Sequence, residues 1–132
     1  MVRLDPIKTL SMVAGCLAFA ATAVAHHSVT GQYDPTNRVE LRGVITKVDW
    51  INPHTYLYLE VANNDGTTTT WRLESAPTAM LRKARITPDM LMDGGSVVTV
   101  DAIVARDGTE NLAWLYRIDY SDGHSYQLSG ER

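Results

Sequence analysis

Residues 39–50 read VELRGVITKVDW, and the apolar side chains change parity halfway along the stretch. Val39 and Leu41 stand on odd positions, whereas Val44, Thr46, Val48 and Trp50 stand on even ones. Successive side chains of a strand point to opposite faces, so one extra residue is needed to switch faces. Gly43 lies at the switch, and a β-bulge is expected there. Working outward, TYLYLEV (55–61) alternates cleanly: Leu57, Leu59 and Val61 share one face, and Tyr56 and Tyr58 the other. Asn63-Asn64-Asp65-Gly66 is strong turn chemistry, and TTTTWRL (67–73) is the β-rich return strand.

Beyond residue 74 the pattern becomes helical. Ser75 can cap, Pro77 suits a first turn, and AMLRKA (79–84) supplies good helix formers with basic residues near its end. Thr87-Pro88 starts a second short turn that Asp93-Gly94-Gly95 ends. SVVTVDAIVA (96–105) is the clearest strand of the chain. Arg106-Asp107-Gly108-Thr109 returns it to LAWLYRIDY (112–120), where Leu112, Trp114, Tyr116, Ile118 and Tyr120 read as one face. A final hairpin through His124, read as a plain turn residue, leads to a short SYQL strand. A bulged first strand, a meander, a short helical insert before strand 4 and a closing strand form the order of a small, mainly β, OB-like five-stranded Greek-key barrel. An open sheet with one covering helix is the rival. We expect segments 1–25, 26–38, 39–128 and 129–132 to be a signal peptide, an N-terminal arm, a single OB-like domain and a tail.

The first segment has the grammar of a secretory leader. Arg3 and Lys8 face only Asp5, residues 9–25 carry no charge, and Ala23 and Ala25 occupy the small-residue positions of a cleavage site. Cleavage after Ala25 implies a periplasmic or secreted product with no stable membrane insertion. A retained anchor is the competing reading, although the uncharged run is short for a bilayer. Val13-Ala14-Gly15-Cys16 also resembles a lipoprotein cleavage box, which would make Cys16 a lipidated first residue. Cys16 is the only cysteine, so its removal leaves no disulfide, thiol catalysis or zinc ribbon. The formal net charge of −3 argues against a nucleic-acid partner. Oligomeric state is not legible.

Taken in order, His26-His27-Ser28, Tyr33-Asp34, GVITKVDWINPH (43–54), Asp65-Gly66, Trp71-x-x-Glu74, and a run holding Ser75, Pro77, Leu81 and Arg82 resemble a bacterial family of small exported proteins, domain of unknown function 6152. The resemblance runs from His26 to about Ala105. It implies export and one compact β-rich domain, and it carries no reaction. Where members often have a Gly-Trp pair after the helix, this chain has Lys83-Ala84-Arg85-Ile86.

Among the side chains, the histidines carry the sharpest chemistry. Cleavage after Ala25 makes His26 a free N-terminus, whose amine and Nδ1 chelate one metal. A second imidazole completes a flat set of three nitrogens that suits Cu(II). His27 and His54 are the candidate partners, and Asp34 is a candidate carboxylate behind an imidazole. His54 follows Asn52-Pro53 at a strand junction; its bland reading is a turn histidine bonded to a neighbouring carbonyl. Trp50, Trp71, Tyr56 and Tyr58 lie on adjacent expected strands and could form a stacking platform for a small molecule or partner, with both tryptophans also readable as core. No paired carboxylates at glycosidase spacing, nucleophile elbow, zincin motif or phosphate loop is present. The expected function is therefore non-enzymatic binding, of copper or another transition metal. A small-molecule or protein-partner module and a structural envelope protein are the alternatives.

Overall fold

A computed structural model describes residues 28–129. After a single helical turn, α1 (Val29–Gln32), the chain forms β1 (Tyr33–Asp49), β2 (Tyr56–Ala62), β3 (Thr68–Glu74), α2 (Thr78–Lys83), α3 (Pro88–Met92), a 3-10 turn (Asp93–Gly95), β4 (Val97–Ala105), β5 (Leu112–Tyr120) and β6 (Ser125–Gln127). Strands lie in the order β3-β2-β1-β4-β5-β6, and β3 also pairs with β5. That last pairing is parallel, joins Arg72, Leu73 and Glu74 to Leu112, Ala113 and Trp114, and closes a five-stranded mixed barrel. The expected OB-like barrel with a helical insert before strand 4 is the observed architecture.

β1 begins at Tyr33, inside the stretch read as an arm, and runs for 17 residues. Its residues 38–44 pair with β4 and residues 44–49 with β2, so the strand changes neighbours at Val44. The bulge falls at Thr46, between the pairs Ile45–Leu59 and Lys47–Tyr58, and not at Gly43. The reason is Ile45, which is 2% exposed and stays in the odd-numbered inward set. Val48 and Trp50 then pack against the interior from even positions. Gly43 serves a different purpose: a Cβ there would lie 2.2 Å from the Glu60 carbonyl oxygen. Only glycine permits that approach.

Leu57, Leu59, Leu73, Val98, Val100, Ala113, Leu115 and Ile118 fill the barrel, and Leu81 and Leu91 bring both helices onto it. Each such Leu or Ile contributes about 1.5–3 kcal/mol by leaving water. α3 starts at Thr87-Pro88 as expected, and Thr87 caps it, its Oγ1 accepting from the Met90 amide at 3.3 Å. Ser75 does not cap α2. Pro77 holds that position, and Ser75 is buried where its amide donates to the Thr55 carbonyl at 2.8 Å.

β5 departs from the expected single face. Its register with β4 shifts between Asp101 and Ala102, leaving Tyr116 unpaired. Ile118 and Tyr120 therefore join the interior, together with Ala113 and Leu115, whereas Leu112 and Trp114 point outward. The outward pair builds a second apolar cluster on the outside of the barrel with Tyr33, Ile103 and Ala105, and Val29 of α1 packs against it. Among the described residues no helix is long and apolar enough to cross a membrane.

Candidate functional site

The loop between β1 and β2, residues 50–55, is stitched down at both ends. Asn52 Oδ1 accepts from Thr78 Oγ1 at 2.8 Å. The Thr55 amide donates to the Ala76 carbonyl at 3.3 Å, and the Ser75 amide returns a bond to the Thr55 carbonyl at 2.8 Å. These bonds lay His54 beside the end of β3. There the alternation of the strand points Glu74 outward, yet Glu74 is only 4% exposed. The outer cluster covers it.

Glu74 uses both carboxylate oxygens. Oε1 meets Nδ1 of His54, and Oε2 accepts a hydrogen bond from the hydroxyl of Tyr33. Trp114, the closure partner of Glu74 across β3 and β5, walls the group. The His54 ring stands edge-on to Trp114 at 5.4 Å between centroids, and Tyr33 tilts against it at 5.9 Å. Trp114 is itself anchored, its indole N–H donating to Ser129 Oγ at 3.1 Å. Burial, followed by the neighbouring Glu74 carboxylate, drives the Tyr33 phenol well above its ordinary pKa, so it remains a proton donor. The His54 side chain keeps 30% of its surface exposed, and among the described residues nothing bonds its Nε2. The described side-chain bond of this part-exposed imidazole is therefore the one through Nδ1.

The expected site residues divide as follows. His26 and His27 lie outside the described residues. Among the described residues Asp34 bonds no imidazole: its Oδ1 accepts from the Thr36 amide at 3.0 Å and the Thr36 hydroxyl at 2.8 Å, and Arg106 stands 3.8 Å away. The carboxylate behind His54 is Glu74. Trp50 and Trp71 pack against the barrel interior, so they do not share a platform with the outward Tyr56 and Tyr58. Those two rings already carry cations, Arg72 at 5.0 Å from the Tyr56 centroid and Lys47 at 4.7 Å from that of Tyr58. The Tyr58 hydroxyl donates to Asp49 at 2.9 Å, which raises its pKa, and Lys47 with Tyr58 lowers that of Asp49. His124 stacks flat on Tyr120 at 4.1 Å.

Tyr33, Glu74 and Trp114 were not singled out from sequence. The only signal for Tyr33 and Glu74 was membership of the Tyr33-Asp34 and Trp71-x-x-Glu74 pieces, and for Trp114 its place in the alternation of residues 112–120. No three His, Cys, Asp or Glu side chains among the described residues are grouped to hold a metal. An open cleft of about 530 Å3 flanks α1, lined by Ser28, Gly31, Gln32, Arg106 and Asp107. His54 does not line it.

Neither the curated proteins nor the solved structures contain a match to this chain. The family model described as Family of unknown function (DUF6152) matches residues 14–113, most of the sequence, and the chain belongs to that family.

Proposed function

We propose that the chain is an exported, non-enzymatic domain that binds a transition metal, Cu(II) foremost, through His26, His27 and His54. The observation that carries this reading is the shared neighbourhood of His54 and the N-terminal arm. His54 stands on Trp114, and Val29 packs against the cluster to which Trp114 belongs. His26 is three residues before Val29, a reach of at most about 10 Å along an extended chain. With residues 1–25 removed, the amine and Nδ1 of His26 would form a chelate, and the imidazole of His54 is our candidate to complete a flat nitrogen set. His27 offers a further imidazole.

The test uses protein made with its own residues 1–25 and recovered from the periplasm of a bacterial host, its first residue read by intact mass. Cu(II) titration followed by electron paramagnetic resonance is expected to show one tight equivalent in a nitrogen-rich square-planar environment. The H26A/H27A double variant should lose it, and H54A should bind more weakly with a changed spectrum. Uptake by the double variant equal to that of the parent ends the copper reading. Retention of residues 1–25 in the recovered protein ends the exported N-terminus on which it depends.

The rival, a small-molecule or partner surface at the tyrosine-bearing face, draws support from the outward Tyr56 and Tyr58. It is weakened by the cations already seated on both rings.

A further inference from the structure

The outer cluster covers a buried carboxylate, Glu74. Glu74 is buried at the end of an outward-facing strand position, where an apolar residue would complete the cluster at lower cost. Both of its oxygens are engaged by side chains from distant parts of the chain, Tyr33 from the start of β1 and His54 from the β1–β2 loop. Its backbone is pinned on two sides, by Tyr56 in β2 and Trp114 in β5. The imidazole it holds is the one described histidine on this cluster, is part-exposed, and has no described hydrogen bond at its second nitrogen.

We infer that Glu74, itself held by Tyr33, is a positioning residue that keeps His54 as the Nδ1–H tautomer and presents Nε2 as the only ring atom available to a ligand. The inference rests on the metal reading for what that ligand is, but its core, the tautomer, stands apart from it. Two neutral tautomers of imidazole are close in energy in water, and a carboxylate accepting from Nδ1–H selects one. A ring so held has lost its freedom before the metal arrives, and the accepted hydrogen bond makes the free nitrogen a better donor. Tyr33 completes the device. Its hydroxyl occupies the other oxygen, so Glu74 cannot rotate away from the histidine without giving up a buried bond. Trp114 packs edge-on against the ring.

A purely structural Glu74, tying β1 to β3, would leave the ring's protonation pattern to solvent. Two-bond proton–nitrogen correlation spectra of the periplasmic protein, recorded without metal at pH 8, separate the two cases. The expected His54 pattern is a protonated Nδ1 and a bare Nε2 in the parent and in E74D, and a mixture of tautomers in E74Q. Y33F should keep the parental pattern with broadened lines. On addition of Cu(II), E74Q is expected to bind on the order of 10-fold or more weakly than the parent, with E74D intermediate.

A proton on Nε2 of the parent at pH 8 overturns the inference, as does a folded E74Q protein with parental tautomer and parental Cu(II) affinity. Should the parent show the expected tautomer and yet take up no more Cu(II) than H26A/H27A, the copper reading falls while the positioning role of Glu74 is upheld. Folding of each variant is checked by the methyl resonances of Leu57 and Leu115 in the barrel interior, so a collapsed variant is recognised and replaced by E74D and Y33F.

Discussion

At Gly43 the barrel wall leaves no room for a methyl group. The nearest obstacle is the backbone carbonyl of Glu60 in the paired strand, which cannot step aside as a flexible side chain would. G43A is therefore expected to destabilise the domain by about 3 kcal/mol or more, read as a fall in the urea midpoint. A shift below 1 kcal/mol would show that β1 and β2 can part locally. Thr55 offers the opposite case. Its hydroxyl is buried with no hydrogen-bond partner among the described residues, although its backbone bonds hold the His54 loop. T55V keeps the shape and removes the unmatched group, so it is expected to be neutral or to add about 1 kcal/mol. A loss of 2 kcal/mol on the same assay would mean that the hydroxyl is satisfied in solution. At this scale the sequence was partly legible. Gly43 is conspicuous, but a glycine at a parity switch and a glycine at a close approach look alike until the partner strand is known.

Four aspartates, one at the start of β1 and three in turns, share one device. Asp34, Asp65, Asp107 and Asp122 each accept from the amide two residues on, at Thr36, Thr67, Thr109 and His124. In the three threonine cases the side-chain hydroxyl donates as well, and it is the largest cause of the lowered pKa. At Asp122 the His124 amide is the largest cause. All four carboxyls lie below their ordinary 3.8 in the folded protein. A depressed folded pKa means the stabilising effect is complete above 3.8 and is lost as pH falls through the lower folded values. Thermal midpoints measured between about pH 5 and about pH 2 are expected to decline, and more shallowly in T109A than in the parent. Equal slopes would assign the acid sensitivity elsewhere. These turns and the strands between them were legible from sequence, because Asx turns and period-two alternation are local. The face of β5 was not. Five large apolar residues at alternate positions suggest one buried face, and only the bulge at Tyr116 sends Leu112 and Trp114 to the outside. Glu74 was hidden for the same reason, since its cover comes from that misread face.

For the domain as a whole, the interior and the outer cluster are joined rather than stacked. Leu73 and Glu74 are consecutive, one inside the barrel and one beneath Trp114. Trp50 and Trp71 report on the interior and Trp114 on the outer cluster. Urea unfolding followed by tryptophan fluorescence and by far-ultraviolet dichroism is expected to give superimposable single transitions, as for a small two-state domain. Fluorescence that changes first would mark the outer cluster as a separately melting layer. The barrel topology was legible because the order of strands, insert and strands leaves few alternatives. The candidate site was less so: His54 stood out, but what it leans on is supplied by β3 and β5, which sequence cannot set side by side.

The parallel seam between residues 72–74 and 112–114 also gives the molecule a clock. Every other strand pair in the barrel can form without it, and it joins parts of the chain some forty positions apart only after β3 and β5 have each found their antiparallel neighbours. Until it forms, Glu74 has no Trp114 over it and His54 has no wall. The imidazole is thus walled only once residues 72–74 and 112–114 have met.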